Sequence, residues 1–140
     1  MTVITNSIEN LLELSDVSGW DIISTGGLLK AGSMSLLGNR ATQSIERYNA
    51  DKVFLSCKGI DIMKGVTESH DETASVKQSM IESAKKVYLT VDSSKFDRVA
   101  FSIICPLSKI DVIVTDKKPD TKWLDTFKRL NIQCLYPKDI

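Results

Sequence analysis

Apolar and polar positions along this chain switch between two rhythms, and the switches mark out the elements. Thr2-Val3-Ile4-Thr5 is a short β-branched run that reads as a strand. Behind it, Ile8, Leu11 and Leu12 recur at i, i+3 and i+4 with Ser15 on the same face, a helix that Asn6 or Ser7 can cap. Asp21 to Thr25 is a second strand stopping at Gly26-Gly27, and a Gly- and Ser-rich loop is expected from Leu28 to Asn39. Ala41, Ile45 and Tyr48 then fall at i, i+4 and i+7, one buried helical stripe.

The second half repeats the alternation. Lys52 to Ser56 is a third strand, followed by a loop from Cys57 to Ser69. Asp71 or Ser69 caps a helix on which Ala74, Val76, Lys77, Met80, Ile81 and Ala84 keep helical periodicity. Lys86 to Val91, apolar almost throughout, reads as a strand buried on both faces of a parallel sheet. Phe101 to Cys105 is a short extended piece before Pro106, and Asp111 to Thr115 is a further strand. Trp123, Leu124, Phe127 and Leu130 line one helix face, and Ile132 to Tyr136 forms the last strand. Strands alternating with helices of this length predict one α/β domain over residues 1–140, a right-handed parallel sheet with helices on both faces. The chain opens directly on a strand, so the natural protein is expected to start earlier.

Composition removes several function classes. Lys plus Arg and Asp plus Glu are both 18, giving zero formal net charge. A free-standing DNA-binding module draws its affinity from a basic excess that this chain lacks. Cys57, Cys105 and Cys134 are widely spaced and the single histidine, His70, is far from all of them, so no zinc site and no other metal or cofactor is expected. Free thiols fit a reducing cytoplasm. No apolar run approaches the roughly 20 residues that span a bilayer, so no membrane partner is expected.

Ligands of open α/β sheets sit at the carboxyl ends of strands. Those ends hold Gly26-Gly27, Cys57-Lys58-Gly59-Ile60-Asp61, Asp92-Ser93-Ser94-Lys95 and Thr115-Asp116. Backbone N–H groups and lysines suit a phosphate, and carboxylates suit hydroxyls, so the residues alone point to a phosphate-bearing ligand. Each feature also has a plain structural role. Gly26-Gly27 lacks the spacing of a dinucleotide fingerprint and serves equally as a tight turn. Asp92-Ser93 serves equally as a helix cap, and Glu72 as a first-turn carboxylate favoured by the helix dipole.

The order of these segments is more specific than any one of them. Ile4-Thr5-Asn6-Ser7, Gly26-Gly27, Gly38, Asp51-Lys52-Val53-Phe54, Gly59-Ile60-Asp61, Gly65-Val66-Thr67, Glu72, Lys77, Met80-Ile81, Asp92-Ser93-Ser94-Lys95-Phe96 and Ile110 to Asp116 together resemble the C-terminal sensor domain of the DeoR, or glycerol-3-phosphate repressor, family of bacterial regulators. The resemblance implies a Rossmann-like parallel-sheet sandwich, similar to ribose-5-phosphate isomerase, glucosamine-6-phosphate deaminase and CoA transferases. It implies a phosphorylated sugar or polyol effector bound rather than turned over, held by Gly26, Gly27, Lys58, Gly59, Asp61, Glu72, Lys77 and Lys95. It also implies a homo-oligomer, and DNA contact only through an N-terminal helix-turn-helix that this chain lacks, together with the family's first phosphate loop. Ser56-Cys57-Lys58 departs from the family pattern. A lysine there would strengthen anion binding by roughly 1.5–3 kcal/mol per charge-assisted hydrogen bond. The alternative on the same scaffold is a sugar-phosphate isomerase, with Asp61 or Glu72 as the base and Lys95 stabilising the enediolate.

Overall fold

The computed structural model describes residues 1–138. It divides into two compact units, Met1–Tyr48 and the residues from Asn49 onward.

In the first unit, strand β1 (Thr2–Thr5), helix α1 (Ile8–Leu14) and strand β2 (Asp21–Ser24) form a βαβ unit, with β1 and β2 parallel and Thr2 opposite Asp21. The Ser7 side chain caps α1 by accepting from the Asn10 N–H at 3.2 Å. The segment expected to be a plain loop contains a small antiparallel pair, β3 (Leu28–Leu29) and β4 (Leu36–Leu37). Helix α2 (Asn39–Glu46) follows and buries Ala41 and Ile45, while Tyr48 lies beyond its end and is exposed.

The second unit carries the main sheet. Strand β5 (Ala50–Leu55) leads into an antiparallel hairpin, β6 (Gly59–Asp61) and β7 (Gly65–Glu68), where the sequence pattern suggested only a loop. The pattern misleads because the two strands are only three and four residues long, too short for alternation to stand out. Helix α3 (Asp71–Glu82), strand β8 (Ala84–Thr90) and strand β9 (Ser102–Cys105) come next. Neither Ser69 nor Asp71 caps α3: the cap residue is His70, with no side-chain capping bond, and Ala84 opens β8 instead of closing the helix. Strand β10 (Val112–Val114), helix α4 (Thr121–Arg129) and strand β11 (Gln133–Leu135) complete the unit. The order β11-β10-β8-β5 is parallel throughout, and β9 joins the hairpin in a second, antiparallel sheet ordered β6-β7-β9.

Period-two alternation sends Leu55, Val87, Leu89 and Ile113 to one face of the parallel sheet, where they share a core with Ala74 and Ile81 of α3 and Trp123 and Phe127 of α4. Both helices therefore cover the same face. That follows from right-handed crossovers running in one direction along the sheet, β5 to β8 and β10 to β11. On the other face Lys86 and Phe54 are exposed and Tyr88 is half-buried, with the Phe54 and Tyr88 rings stacked 4.8 Å apart. Strand β8 is thus buried on one face only. Its apolar run misled because Tyr88 adds apolar character on the open side. Among the described residues no helix is long and apolar enough to cross a membrane.

Candidate functional site

The second unit gathers charge at the carboxyl end of β5. There the chain leaves the parallel sheet through Ser56-Cys57-Lys58 and enters the hairpin, and the Lys58 N–H donates to the Thr67 carbonyl at 3.0 Å. The Thr67 hydroxyl is fully buried, donates to the Gly59 carbonyl at 2.9 Å and accepts the Ala100 N–H at 2.9 Å. These bonds fix the turn on which the site stands. Gly59 is required by close approach: a Cβ there would run into the Arg98 carbonyl.

Strand β7 is the middle of its sheet, so its last residue, Glu68, is carried inside, where only 5% of the side chain is exposed. A carboxylate so placed needs partners. Glu68 Oε2 accepts from Lys77 Nζ at 2.6 Å, and Oε1 accepts from the Ser69 N–H at 3.0 Å. Lys77, reaching across from α3, donates also to the Ser56 carbonyl at 2.7 Å. Burial opposes the Glu68 charge, but the lysine bond and the Ser69 N–H outweigh it and hold its pKa below the ordinary glutamate value. The Cys57 thiol sits inside this group. Burial pushes its pKa up to about 11 against the opposing fields of Lys77 and Lys95. Lys58 in turn acts on Glu68. Lys77 is bonded to Ser56 and Glu68, on either side of the turn that holds Cys57 and Lys58, and the bridge between Ile60 and Phe96 lays the strand after Lys58 beside the residue after Lys95.

The carboxyl ends of β8 and β10 are tied together. Asp116 accepts the Ser93 N–H at 2.6 Å and Asp92 accepts the Ser94 N–H at 2.8 Å, and these bonds lower both carboxyl pKa values. Lys95 Nζ lies 3.4 Å from Asp92 Oδ2. Next to this segment is an open cleft of about 240 Å³ lined by Ser93, Phe96, Asp97, Trp123 and the stretch from Lys117 to Asp120. Its wall includes Asp97, in the left-handed region at φ +59° and held by Lys122 at 2.8 Å and the Trp123 indole N–H at 3.2 Å.

Of the residues singled out from sequence, Lys58, Gly59, Lys77 and Lys95 lie on segments that meet at one end of the second unit, through the Lys77 bond to Ser56 and the bridge between Ile60 and Phe96. Asp61 closes its own turn, with Oδ2 accepting the N–H groups of Met63 and Lys64 at 3.0 and 2.8 Å. Glu72 lies exposed in the first turn of α3. Gly26 and Gly27 belong to the first unit, where both have positive φ and a Cβ at Gly27 would sit 2.6 Å from the Leu37 carbonyl. The sequence reading missed Glu68, Asp97 and the lysine pair Lys117-Lys118. A signal for Glu68 existed: Gly59-Ile60 and Gly65-Val66 flank four residues, Asp61 to Lys64, and that spacing with a glycine at its end fits a hairpin that would carry Glu68 inward. Among the described residues no three of His, Cys, Asp and Glu converge as a metal site.

Comparison with known proteins gives a consistent set of relatives. A family model described as the DeoR C terminal sensor domain matches residues 1–117. An uncharacterized HTH-type transcriptional regulator, YulB, of Bacillus subtilis is 41% identical over 120 residues, covering 86% of this chain and 46% of that protein. The HTH-type transcriptional repressor GlcR of the same organism is 34% identical over 134 residues, 96% of this chain and 52% of that protein. A putative aga operon transcriptional repressor of Escherichia coli O157:H7 is 29% identical over 131 residues, 94% and 49% of the two chains. The chain spans about half the length of these relatives.

Proposed function

The chain belongs to the DeoR family, as its sensor domain, and from that premise we propose that residues 1–140 form one effector-binding domain that recognises a phosphorylated sugar or polyol. The observation that carries this is the meeting of three lysines at a strand-end turn: Lys77 bonds the Ser56 carbonyl two residues before Lys58, and the bridge between Ile60 and Phe96 brings the segment of Lys95 alongside. Two carboxylates, Glu68 and Asp92, partly offset them, leaving a cationic excess suited to an anion. The sensor match runs across the boundary between the two units, which supports treating them as one domain. A regulator's sensor domain is not an enzyme, and the isomerase alternative falls with the family membership.

In the whole regulator, DNA contact belongs to a helix-turn-helix outside this chain, in a cytoplasmic homo-oligomer. Its targets on this reading are sugar-metabolism genes. Effector binding shifts the placement of the DNA-binding parts by no more than the effector's differential affinity for the two states. Within the second unit, Gly59, Asp61 and Glu72 complete the proposed contact set.

A thermal-shift screen of phosphorylated sugars and polyols on the complete regulator tests the reading. One ligand class is expected to stabilise the protein, by about 2.7 kcal/mol at a hundredfold excess over its dissociation constant. Lys95→Ala is expected to reduce that response. A protein that none of these compounds stabilises is not a sugar-phosphate sensor.

A further inference from the structure

An ammonium group has three N–H bonds in a tetrahedral arrangement, so anchoring two of them fixes the direction of the third. Lys77 is anchored in this way, to Glu68 at 2.6 Å and to the Ser56 carbonyl at 2.7 Å. Glu68 is itself held, because its other oxygen accepts the Ser69 N–H at 3.0 Å. Side-chain exposure is 17% for Lys77 and 5% for Glu68, so neither swings freely. The pair therefore leaves Lys77 one N–H of fixed direction and almost no net charge.

The other two lysines differ. Lys58 is exposed and has no ion-pair partner among the described residues. Lys95 meets only an exposed carboxylate, Asp92, at 3.4 Å, and the Ser94 hydroxyl at 3.5 Å. A phosphate dianion responds to net charge, which Lys58 and Lys95 retain. A hydroxyl or carbonyl oxygen carries no net charge and responds to a donor correctly placed, which is what Lys77 retains.

We infer that the effector site has two chemically distinct ends: Lys58 and Lys95 take the phosphate, while Lys77 donates to a neutral oxygen of the sugar, with Glu68 as the positioning residue that aims it. This inference rests on the sensor reading above and assigns roles within that site. It makes the Glu68–Lys77 pair the part that tells one sugar phosphate from another, since a site built to hydrogen-bond a particular hydroxyl rejects ligands lacking it.

The test compares inorganic phosphate with glucose 6-phosphate, fructose 6-phosphate and glycerol 3-phosphate, by calorimetry on the parent and on Glu68→Ala, Glu68→Gln, Lys77→Met and Lys95→Ala. The best sugar phosphate should bind the parent more tightly than inorganic phosphate. Glu68→Ala and the charge-balanced double variant Glu68→Gln/Lys77→Met should weaken that ligand by about tenfold or more, the loss of one charge-assisted hydrogen bond, without weakening inorganic phosphate, whereas Lys77→Met alone leaves the Glu68 charge and should weaken both. Lys95→Ala should weaken both. Glu68→Gln, which keeps an acceptor for Lys77 and the shape of the pocket, should recover part of the loss; it also serves if the alanine variant does not fold. Adding Glu68→Ala to Lys77→Met should cost no further affinity, because the two act as one unit. A purely structural Glu68 would lower stability while leaving the ratio of the two affinities unchanged, and that result overturns the assignment. If the parent binds inorganic phosphate but no sugar phosphate more tightly, the two-ended site is wrong. Binding of neither probe overturns the sensor reading along with it.

Discussion

Replacing Lys77 with Met removes the cation and leaves the Glu68 carboxylate inside the protein. Glu68 is 5% exposed and would keep only the Ser69 N–H at 3.0 Å. Breaking a buried pair from one side typically costs about 3–5 kcal/mol, because the remaining charge is uncompensated. The partial exposure of Lys77 and the surviving Ser69 bond argue for the lower end, about 3 kcal/mol. At roughly 3 °C per kcal/mol for a chain of this size, the melting temperature should fall by about 10 °C. The loss should also depend on pH. In the parent, Glu68 has a folded pKa below its ordinary value, so its contribution is present above the unfolded pKa and is lost as pH falls through the folded one. In the variant the lysine is gone and burial dominates, raising the Glu68 pKa. The folded variant then avoids its penalty by taking up a proton, so the stability gap is widest at neutral pH and narrows toward pH ~4–5. Urea denaturation followed by Trp123 fluorescence in a Trp20→Phe background, at several pH values, measures this. Glu68→Gln combined with Lys77→Met removes both charges and should recover most of the loss. A gap below about 1 kcal/mol, or one that does not change with pH, would refute the account of a buried, mutually dependent pair.

Three further outcomes follow from local geometry. Gly59→Ala should destabilise by about 1–3 kcal/mol, since its Cβ meets the Arg98 carbonyl carbon at 2.8 Å and backbone cannot step aside cheaply; chemical denaturation reads the change. The thiols should react in order of burial: Cys57 and Cys105, whose pKa values burial pushes up to about 11 and about 12, should resist a thiol reagent at pH 8 until urea is added, while half-buried Cys134 reacts first. Asp120→Ala removes the side-chain cap on the Trp123 N–H and should cost about 1 kcal/mol, visible as an earlier urea midpoint.

The elements that the sequence announced clearly are those whose burial is periodic. Helix α4 is the plainest case: Trp123 and Phe127 are four apart, both almost fully buried, and Asp120 caps the turn before them. Strands β5, β8 and β10 were legible because several β-branched or aromatic residues follow one another. Strands β6 and β7 were not, although Ile60, Val66 and Thr67 are among the most buried side chains. Their burial comes from packing into the core, with β7 also paired on both sides, a tertiary fact that three- and four-residue runs cannot encode. The same reason hid Glu68, which reads as one more polar loop residue until β7 becomes a central strand. Lys77 was legible only through its place in a family pattern. From spacing alone it is a lysine on a helix, and its partner is nine residues away across a strand–helix turn.

On the proposed sensor reading, the charge arrangement gives a reason why a sugar phosphate would be held without being transformed. Moving a proton from the carbon next to a carbonyl needs a base with a pKa near the working pH, placed against the substrate. Glu68, the most buried carboxylate of the cluster, is tuned the other way: its hydrogen bonds to Lys77 and Ser69 lower its basicity and occupy both oxygens. Asp61 directs an oxygen to the Met63 and Lys64 N–H groups, holding its own turn. Asp92 and Asp116 likewise accept from Ser94 and Ser93, which stabilises their charged forms. Carboxylates committed to positioning lysines and shaping turns make a site rigid before the ligand arrives. Rigidity of this kind favours selective binding, and carboxylates held in their charged forms by hydrogen bonds are poor bases for proton abstraction.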